Sequence, residues 1–536
     1  MTETEITAAP LADQQLRRLV NQVIWPGFVG TTVPAWLAAA LQEGLAGVVY
    51  FRHNIDPDAP GQVSGLSAAI RAANPDALIG ADEEGGNVSR LQALHGSCVP
   101  GAAVLGRLDD VELTAAAGAA VGRLCREAGI NLVLAPVADV NTDPRNPVIG
   151  IRSFGSETAL VSRHTAAMVR GIQSAGVGAC AKHFPGHGDT VSDSHLGLPR
   201  LELSLADVRR EHLPPFVAAV EAGAAAMMTA HIVIPDLGEA PATLNPAAGA
   251  LLRGLGFDGL LVTDALDMAA VRTTVGAGPG AVQALLAGAD LLCVGNPENA
   301  YGGVSSETAD SSPDASRDEA AYLEVRNALL AAVRDGVLPL DVLRRAAGRV
   351  AAFSAWNRSA AASGAAPTTS ARQDAEFVRA AQRACGVVEV AGPPRLPEGI
   401  RVVNFIDART ETNMAAGLVA NYFAAGLSAD LAAIHASVTE TTLAEAMVTE
   451  ASTAGVSGTE RSGAVLVLVD SLTDPRQWEA LQSIARTCPD AICINAGLGT
   501  HSLALEFPPP LTTINCYGSS QATARAVAAI LTGREL

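Results

Sequence analysis

Residues 179 to 195 read Ala-Cys-Ala-Lys-His-Phe-Pro-Gly-His-Gly-Asp-Thr-Val-Ser-Asp-Ser-His. The run starts as a short apolar strand, and its last residues, Lys182 and His183, are charged or titratable. A Pro-Gly turn and a polar loop follow, so one lysine, three histidines and two aspartates fall between 182 and 195. A packed core rejects such charges, and a solvated loop rarely holds a Phe-Pro-Gly pivot between two basic clusters. An apolar strand that delivers reactive groups at its C-terminal end is the unit from which barrel enzymes assemble their sites.

Seven more runs of the same kind can be found outward from this one. With it they are Val23 to Phe28, Val48 to Phe51, Leu78 to Asp82, Leu132 to Pro136, Ala179 to His183, Ala225 to Ala230, Leu260 to Asp264 and Leu291 to Val294, separated by Ala-rich helical stretches. Most are continuously apolar, as parallel strands buried on both faces are. Eight strands alternating with helices predict an N-terminal (β/α)8 TIM barrel. Pro26 counts against the first strand, because proline cannot donate to a ladder. The polar residues respect one end of the barrel: Asp82 ends the third strand, Lys182 and His183 the fifth, His231 follows the sixth, and Asp264 ends the seventh.

At 536 residues the chain is too long for one ordinary domain. After a polar insertion at Ser305 to Asp318 and further helices, a stretch rich in Ala, Ser, Gly, Pro and Thr (Ser359 to Ser370) reads as a linker. The expected division is a barrel over 1–355, a linker over 356–375 and a second domain over 376–536. In the last of these, runs at Val387 to Val390, Val402 to Ile406, Val465 to Val469, Ile492 to Ile494 and Thr513 to Cys516 alternate with helical segments. This pattern predicts an open-sheet αβα sandwich. It has no GxGxxG fingerprint, so no dinucleotide and no other cofactor is expected.

Composition narrows the partners. The hydrophobic fraction is 49%, and 36 basic against 55 acidic residues leave a net charge of −19. That charge disfavours nucleic acid and anionic membrane and leaves a small neutral ligand as the better fit. The N-terminus lacks a basic region followed by an apolar stretch, no run is long enough to span a bilayer, and the eight cysteines form no CxxC pair. Buried thiols in a reducing cytoplasm are the expectation.

Four stretches together carry a resemblance. They are Lys182 to Thr190 with Asp193-Ser194-His195; Asp82-Glu83-Glu84-Gly85-Gly86 with Arg90; Ile149-Gly150-Ile151-Arg152-Ser153-Phe154-Gly155; and Thr263-Asp264-Ala265-Leu266-Asp267-Met268. In order and spacing they resemble glycoside hydrolase family 3 in its NagZ-type β-N-acetylglucosaminidase branch, over the first 350 residues. The C-terminal domain is similar to the α/β domain of two-domain members. The resemblance implies a retaining exo-β-N-acetylglucosaminidase that releases non-reducing terminal GlcNAc, with a role in peptidoglycan recycling in the cytoplasm.

It also implies roles. Asp264 would be the nucleophile that traps an oxocarbenium-like centre as a covalent glycosyl-enzyme, ahead of Asp267 three residues on. His195, oriented by Asp193, would be the acid/base, since an imidazole of unperturbed pKa about 6.5 both donates and accepts near neutral pH. Asp82, Arg90, Arg152, Lys182 and His183 match the family's substrate-binding positions, and His231 is placed with them. Asn87 stands where relatives often carry arginine. A metal held by His183, His187, Asp189 and His195 is disfavoured, because their spacing matches no compact zinc pattern. Inorganic phosphate in place of water, giving a phosphorylase, and an inactive sugar-binding protein are the alternatives.

Overall fold

The computed structural model describes residues 12–93, 96–190, 197–296, 316–363, 371–398, 400–409, 422–432, 437–442, 463–499, 503 and 508–534. All eight expected barrel strands are present: β1 (Ile24–Pro26), β2 (Gly47–Tyr50), β3 (Leu78–Ala81), β4 (Leu132–Val133), β5 (Gly178–Phe184), β6 (Ala226–Thr229), β7 (Leu260–Val262) and β8 (Leu292–Gly295). β2 to β7 form one parallel sheet in chain order. β1 pairs in parallel with β8, and a bridge between Val262 and Leu291 joins β8 to β7. At the remaining seam, the Ala46 N–H just before β2 donates to the Asn21 carbonyl at 3.0 Å. The result is a TIM-barrel-like domain. Pro26 is the last residue of β1, where the register to β8 already shifts, so its missing N–H falls at an irregular point of the ladder.

The period-2 alternation of each strand sorts its side chains into two layers. Trp25, Val49, Leu78, Leu132, Cys180, Met228, Leu260, Val262, Leu291 and Cys293 form the cluster inside the barrel. Their neighbours Val48, Ile79, Val133, Ala179, Ala181, Met227, Leu261 and Leu292 belong to the larger core against the outer helices. Full burial of each large aliphatic contributes about 1.5–3 kcal/mol, so the two layers dominate the domain's cohesion. Trp25 is fully buried, and its indole N–H donates to the Leu78 carbonyl at 2.9 Å. The ring fits because residue 80 is glycine: a Cβ there would lie 2.2 Å from it.

The outer ring has one helix after each strand: Ala35–Gln42, Gln62–Ala73, Val111–Glu127, Thr158–Ser174, Pro214–Glu221, Pro246–Gly254, Ala277–Leu286 and Ser316–Arg334. The long helix Leu340–Ser363 then sends Val350 and Phe353 into the interior cluster. Phe353 packs where Gly178 opens β5, so it plugs the N-terminal end of the barrel and leaves the opposite mouth to the loops. That helix and the next, Ala371–Ala384, enter the stretch expected as a linker from either side, and 364–370 lie outside the described residues.

The second domain is an αβα sandwich. Its strands are β9 (Gly386–Val388), β10 (Val402–Asp407), β11 (Ser437–Thr442), β12 (Ala464–Val469), β13 (Ile492–Asn495) and β14 (Thr512–Asn515). Their order is β9-β14-β13-β12-β10-β11, all parallel except β9 on β14. Helices Tyr422–Ala432 and Gln521–Thr532 cover one face through Phe423, Leu427 and Val527, and Pro475–Thr487 covers the other through Leu481 and Ile484. β11 was not expected. Its sequence, Ser-Val-Thr-Glu-Thr-Thr, is polar because it is an edge strand. Among the described residues no helix is long and apolar enough to cross a membrane, and all eight cysteines are free thiols.

Candidate active site

Asp82 follows β3 and opens a short hairpin, Glu83–Gly85 against Val88–Ser89. In extended backbone, residues two apart share a side, and Asp82 and Glu84 accordingly both reach Lys182 at the end of β5. The Lys182 ammonium donates to Asp82 Oδ1 at 2.7 Å and lies 2.7 Å from Glu84 Oε1. Arg152, on the turn Gly150–Arg152, grips Glu84 bidentately at 3.0 and 2.7 Å, and Arg90 reaches Asp82 Oδ2 at 3.1 Å. Two carboxylates are thus interlocked with three cations at the barrel mouth. Burial would raise Asp82, but Lys182 and then Arg90 more than offset it and hold the carboxyl far below the usual range. Glu84 is held down in the same way by Arg152 and Lys182. Burial by itself would lower Lys182, and Asp82 and Glu84 more than reverse that and hold the ammonium above its ordinary range. Fixed charges of this kind keep their orientation without rearranging when a ligand arrives.

Exposure separates the members. The side chains of Lys182 and Arg152 are 2% and 5% exposed, those of Asp82 and Arg90 19% and 12%. Asp82 and Arg90 therefore present the open edge, with Lys182, Arg152 and Glu84 behind them.

A second set forms beside it. Asp139, fully buried beyond β4, accepts the His183 Nδ1–H at 2.8 Å and the amides of His183 and His187 at 3.2 and 2.7 Å. Burial opposes its charge, but these histidines hold the carboxyl below its ordinary range. His187 is buried, pushed down to about 4 chiefly by desolvation, and bonded through Nδ1 to the Thr190 hydroxyl at 2.7 Å. It is neutral near pH 7. Its neighbour Asp189 accepts from the Thr142 hydroxyl at 2.6 Å.

Asp264 stands at the end of β7, half-buried, with Oδ1 accepting the Ala265 N–H at 2.8 Å. Because β5 and β7 run parallel in one sheet, Asp264 at the end of β7 lies at the same end of the barrel as Lys182 near the end of β5. Asp267 is tucked against the backbone of β8: a Cβ on Gly295 would meet its carboxylate at 1.8 Å.

His231 follows the end of β6. It is fully buried, its Nε2–H donates to the Ala265 carbonyl at 2.8 Å, and Nδ1 lies 2.9 Å from the Thr243 hydroxyl. Through these bonds it braces the peptide beside Asp264. Asp193 and His195 lie outside the described residues. Two members of the site were absent from the expected set: Glu84, which the i, i+2 relation to Asp82 would have found, and Asp139, an aspartate inside the apolar run Val137 to Val140.

Glu83 points the other way from its neighbours, and one of its oxygens accepts the amides of Arg90 and Leu91 at 3.0 Å each. Burial pushes its carboxyl up to about 7 from an ordinary 4.5. The folded state therefore keeps a proton that the unfolded chain releases, and stability on the order of 3 kcal/mol, full below pH 4.5, should be lost as pH rises through 7. Thermal melts of Glu83→Gln between pH 5 and 8 are expected to be flatter than wild type. Parallel profiles would assign the titration to another group.

With this geometry established, comparison with known proteins is direct. The Glycosyl hydrolase family 3 N terminal domain matches residues 26–312. The chain belongs to glycoside hydrolase family 3. A beta-hexosaminidase of Stenotrophomonas maltophilia (strain K279a) is 38% identical over 283 residues, 51% of this chain and 83% of that protein. Beta-hexosaminidase A of Pseudoalteromonas piscicida is 34% identical over 287 residues, and there the match spans 49% of this chain and only 48% of the relative's length. The structure of a glycoside hydrolase family 3 beta-N-acetylglucosaminidase from Paenibacillus sp. str. FPU-7 superposes with a TM-score of 0.81 at 30% identity, over 98% of both chains. Relatives and structural neighbours alike mark the chain as a glycoside hydrolase.

Proposed function

We propose that the chain is a retaining exo-β-N-acetylglucosaminidase acting on small GlcNAc-terminated glycosides. The observation that carries this reading is the interlocked group of Asp82, Glu84, Arg90, Arg152 and Lys182, set at one barrel mouth with Asp264. Its support beyond the site is the full-length likeness to the Paenibacillus enzyme. Asp82 offers acceptor lone pairs on the open edge, and Arg90 offers donors, which is what vicinal sugar hydroxyls require. Asp264 would attack the anomeric carbon as the glycosidic C–O bond breaks. His195 would deliver its proton to the leaving oxygen and then take one from the incoming water, with Asp193 holding the imidazole. Lys182, Arg90 and Arg152 would keep Asp82 ionised, Glu84 would hold Lys182 and Arg152 in place, and His183 would be fixed by Asp139. The setting proposed for it is the cytoplasm, acting on cell-wall fragments, and its eight free thiols suit a reducing compartment.

The binding half of this reading is tested by Asp82→Ala. Removing the carboxylate deletes two hydroxyl contacts and leaves Lys182 and Arg90 facing one another, so kcat/KM is expected to fall by about 2 kcal/mol or more, some thirtyfold. Unchanged kinetics would show that the end of β3 does not form the sugar pocket.

A further inference from the structure

The hairpin that carries Asp82 and Glu84 is too short to hold its own shape. Its strands have three and two residues, and its turn runs through Gly85 and Gly86 at φ +79° and +58°. An isolated two-stranded ribbon of this size is not stable in water, so its geometry must come from what it touches. On one side the Gly86 N–H donates to the Val99 carbonyl at 2.9 Å. On the other it meets the second domain: Asn87 Oδ1 accepts the backbone N–H of Ser519 at 2.7 Å, across 432 residues of sequence. The donor is an amide, so the side chain must offer an acceptor. An arginine, which has donors only, could not make this bond.

Tyr517 completes the contact. Its ring lies 5.0 Å from the Arg107 guanidinium, whose Nε–H is anchored on the Ala384 carbonyl at 2.7 Å. The tyrosine is buried and lines one narrow cavity together with Glu84, Asn87, Ile151 and Arg152. It also holds φ at +57°, a conformation disfavoured for a non-glycine residue. Val378, Ala381, Ala522 and Ala526 of the second domain pack with Ala103 and Val104 around it, so the strained residue sits inside a buried apolar seam.

We propose that the second domain is a working part of the sugar site, its Tyr517–Ser519 segment bracing the Asp82–Glu84 hairpin through Asn87, with Asn87 and Tyr517 as positioning residues. This rests on the reading of the hairpin as the sugar-binding edge. It also gives the asparagine at position 87 a reason: it is the acceptor that couples two domains.

The test uses the full-length chain and p-nitrophenyl N-acetyl-β-glucosaminide. Asn87→Leu keeps the volume and removes the acceptor; kcat/KM is expected to fall about tenfold, mostly through KM, because a displacement of around 1 Å at a positioning element is enough for such losses. Asn87→Asp keeps the acceptor and should stay within about twofold of wild type. Tyr517→Gly removes the ring while suiting the positive φ, and should reproduce the rise in KM even if Asn87→Leu does not fold. Wild-type kinetics in Asn87→Leu and Tyr517→Gly, with only their thermal midpoints lowered, would reduce the contact to docking and overturn the proposal. An equal loss in Asn87→Asp would overturn the role of the acceptor. Asp82→Ala is the control: if it too is fully active, the reading of the site has failed and the brace falls with it, whereas an inactive Asp82→Ala beside normal brace variants removes the brace alone.

Discussion

Replacing Asp264 with Ala is expected to abolish turnover of β-N-acetylglucosaminides, lowering kcat by about ten-thousandfold or more, while the thermal midpoint stays near that of wild type. The size of the loss follows from the proposed role: without the carboxylate no covalent glycosyl-enzyme would form, and the oxocarbenium-like centre would lose the charge that stabilises it. The small structural effect follows from the surroundings. Asp264 is half-buried at the end of its strand, with Oδ1 accepting the amide of the next residue, so its removal opens no cavity in the core. The strand end beneath it is held by other groups, Thr263 Oγ1 accepting the Cys293 N–H at 2.9 Å and His231 holding the Ala265 carbonyl. Near-normal kcat in this variant would take the nucleophile role from Asp264. Asp267 would be the next residue to replace.

The second large effect separates protonation of the leaving group from nucleophilic attack. For an alkyl glycoside the departing oxygen needs a proton, so His195→Ala should slow glycosylation about a hundredfold or more. A nitrophenyl glycoside leaves unaided, and the same variant should be spared at that step. Asp193→Asn should show a milder version, because the imidazole remains but is less well oriented and less basic. Pre-steady-state bursts on the two substrates measure the step directly. Equal slowing on both would make His195 a binding or structural residue and send the search for the acid elsewhere.

How far these residues could be read from the chain alone depended on whether their cause was local. The barrel was legible because each strand alternates between interior and helix-facing apolar residues in a window of four or five, and because Asp82, Lys182 and Asp264 all close such windows. Pro26 looked like an objection only because a register shift cannot be seen in one strand. β11 was missed since an edge strand owes its place to its neighbour and carries little apolar signal of its own. The same distinction runs through the site. Asp82 stood out as a charge at a strand end, but the partition between its open edge and the buried Lys182 and Arg152 needed the packing of three loops. His231 was named from its place after a strand, but its bonds to Thr243 and Ala265, 12 and 34 residues away, needed the fold. Asn87 and Ser519 meet only because two domains dock.

The most direct test of the proposed chemistry is proton NMR of the first product released from an alkyl β-N-acetylglucosaminide by the full-length chain, with inorganic phosphate in the buffer. Two displacements at one anomeric carbon, the first by Asp264 and the second by water, return the original configuration. Free GlcNAc appearing first as the β anomer is therefore expected. Initial α-GlcNAc would contradict the covalent intermediate, and GlcNAc 1-phosphate in place of free sugar would contradict water as the acceptor.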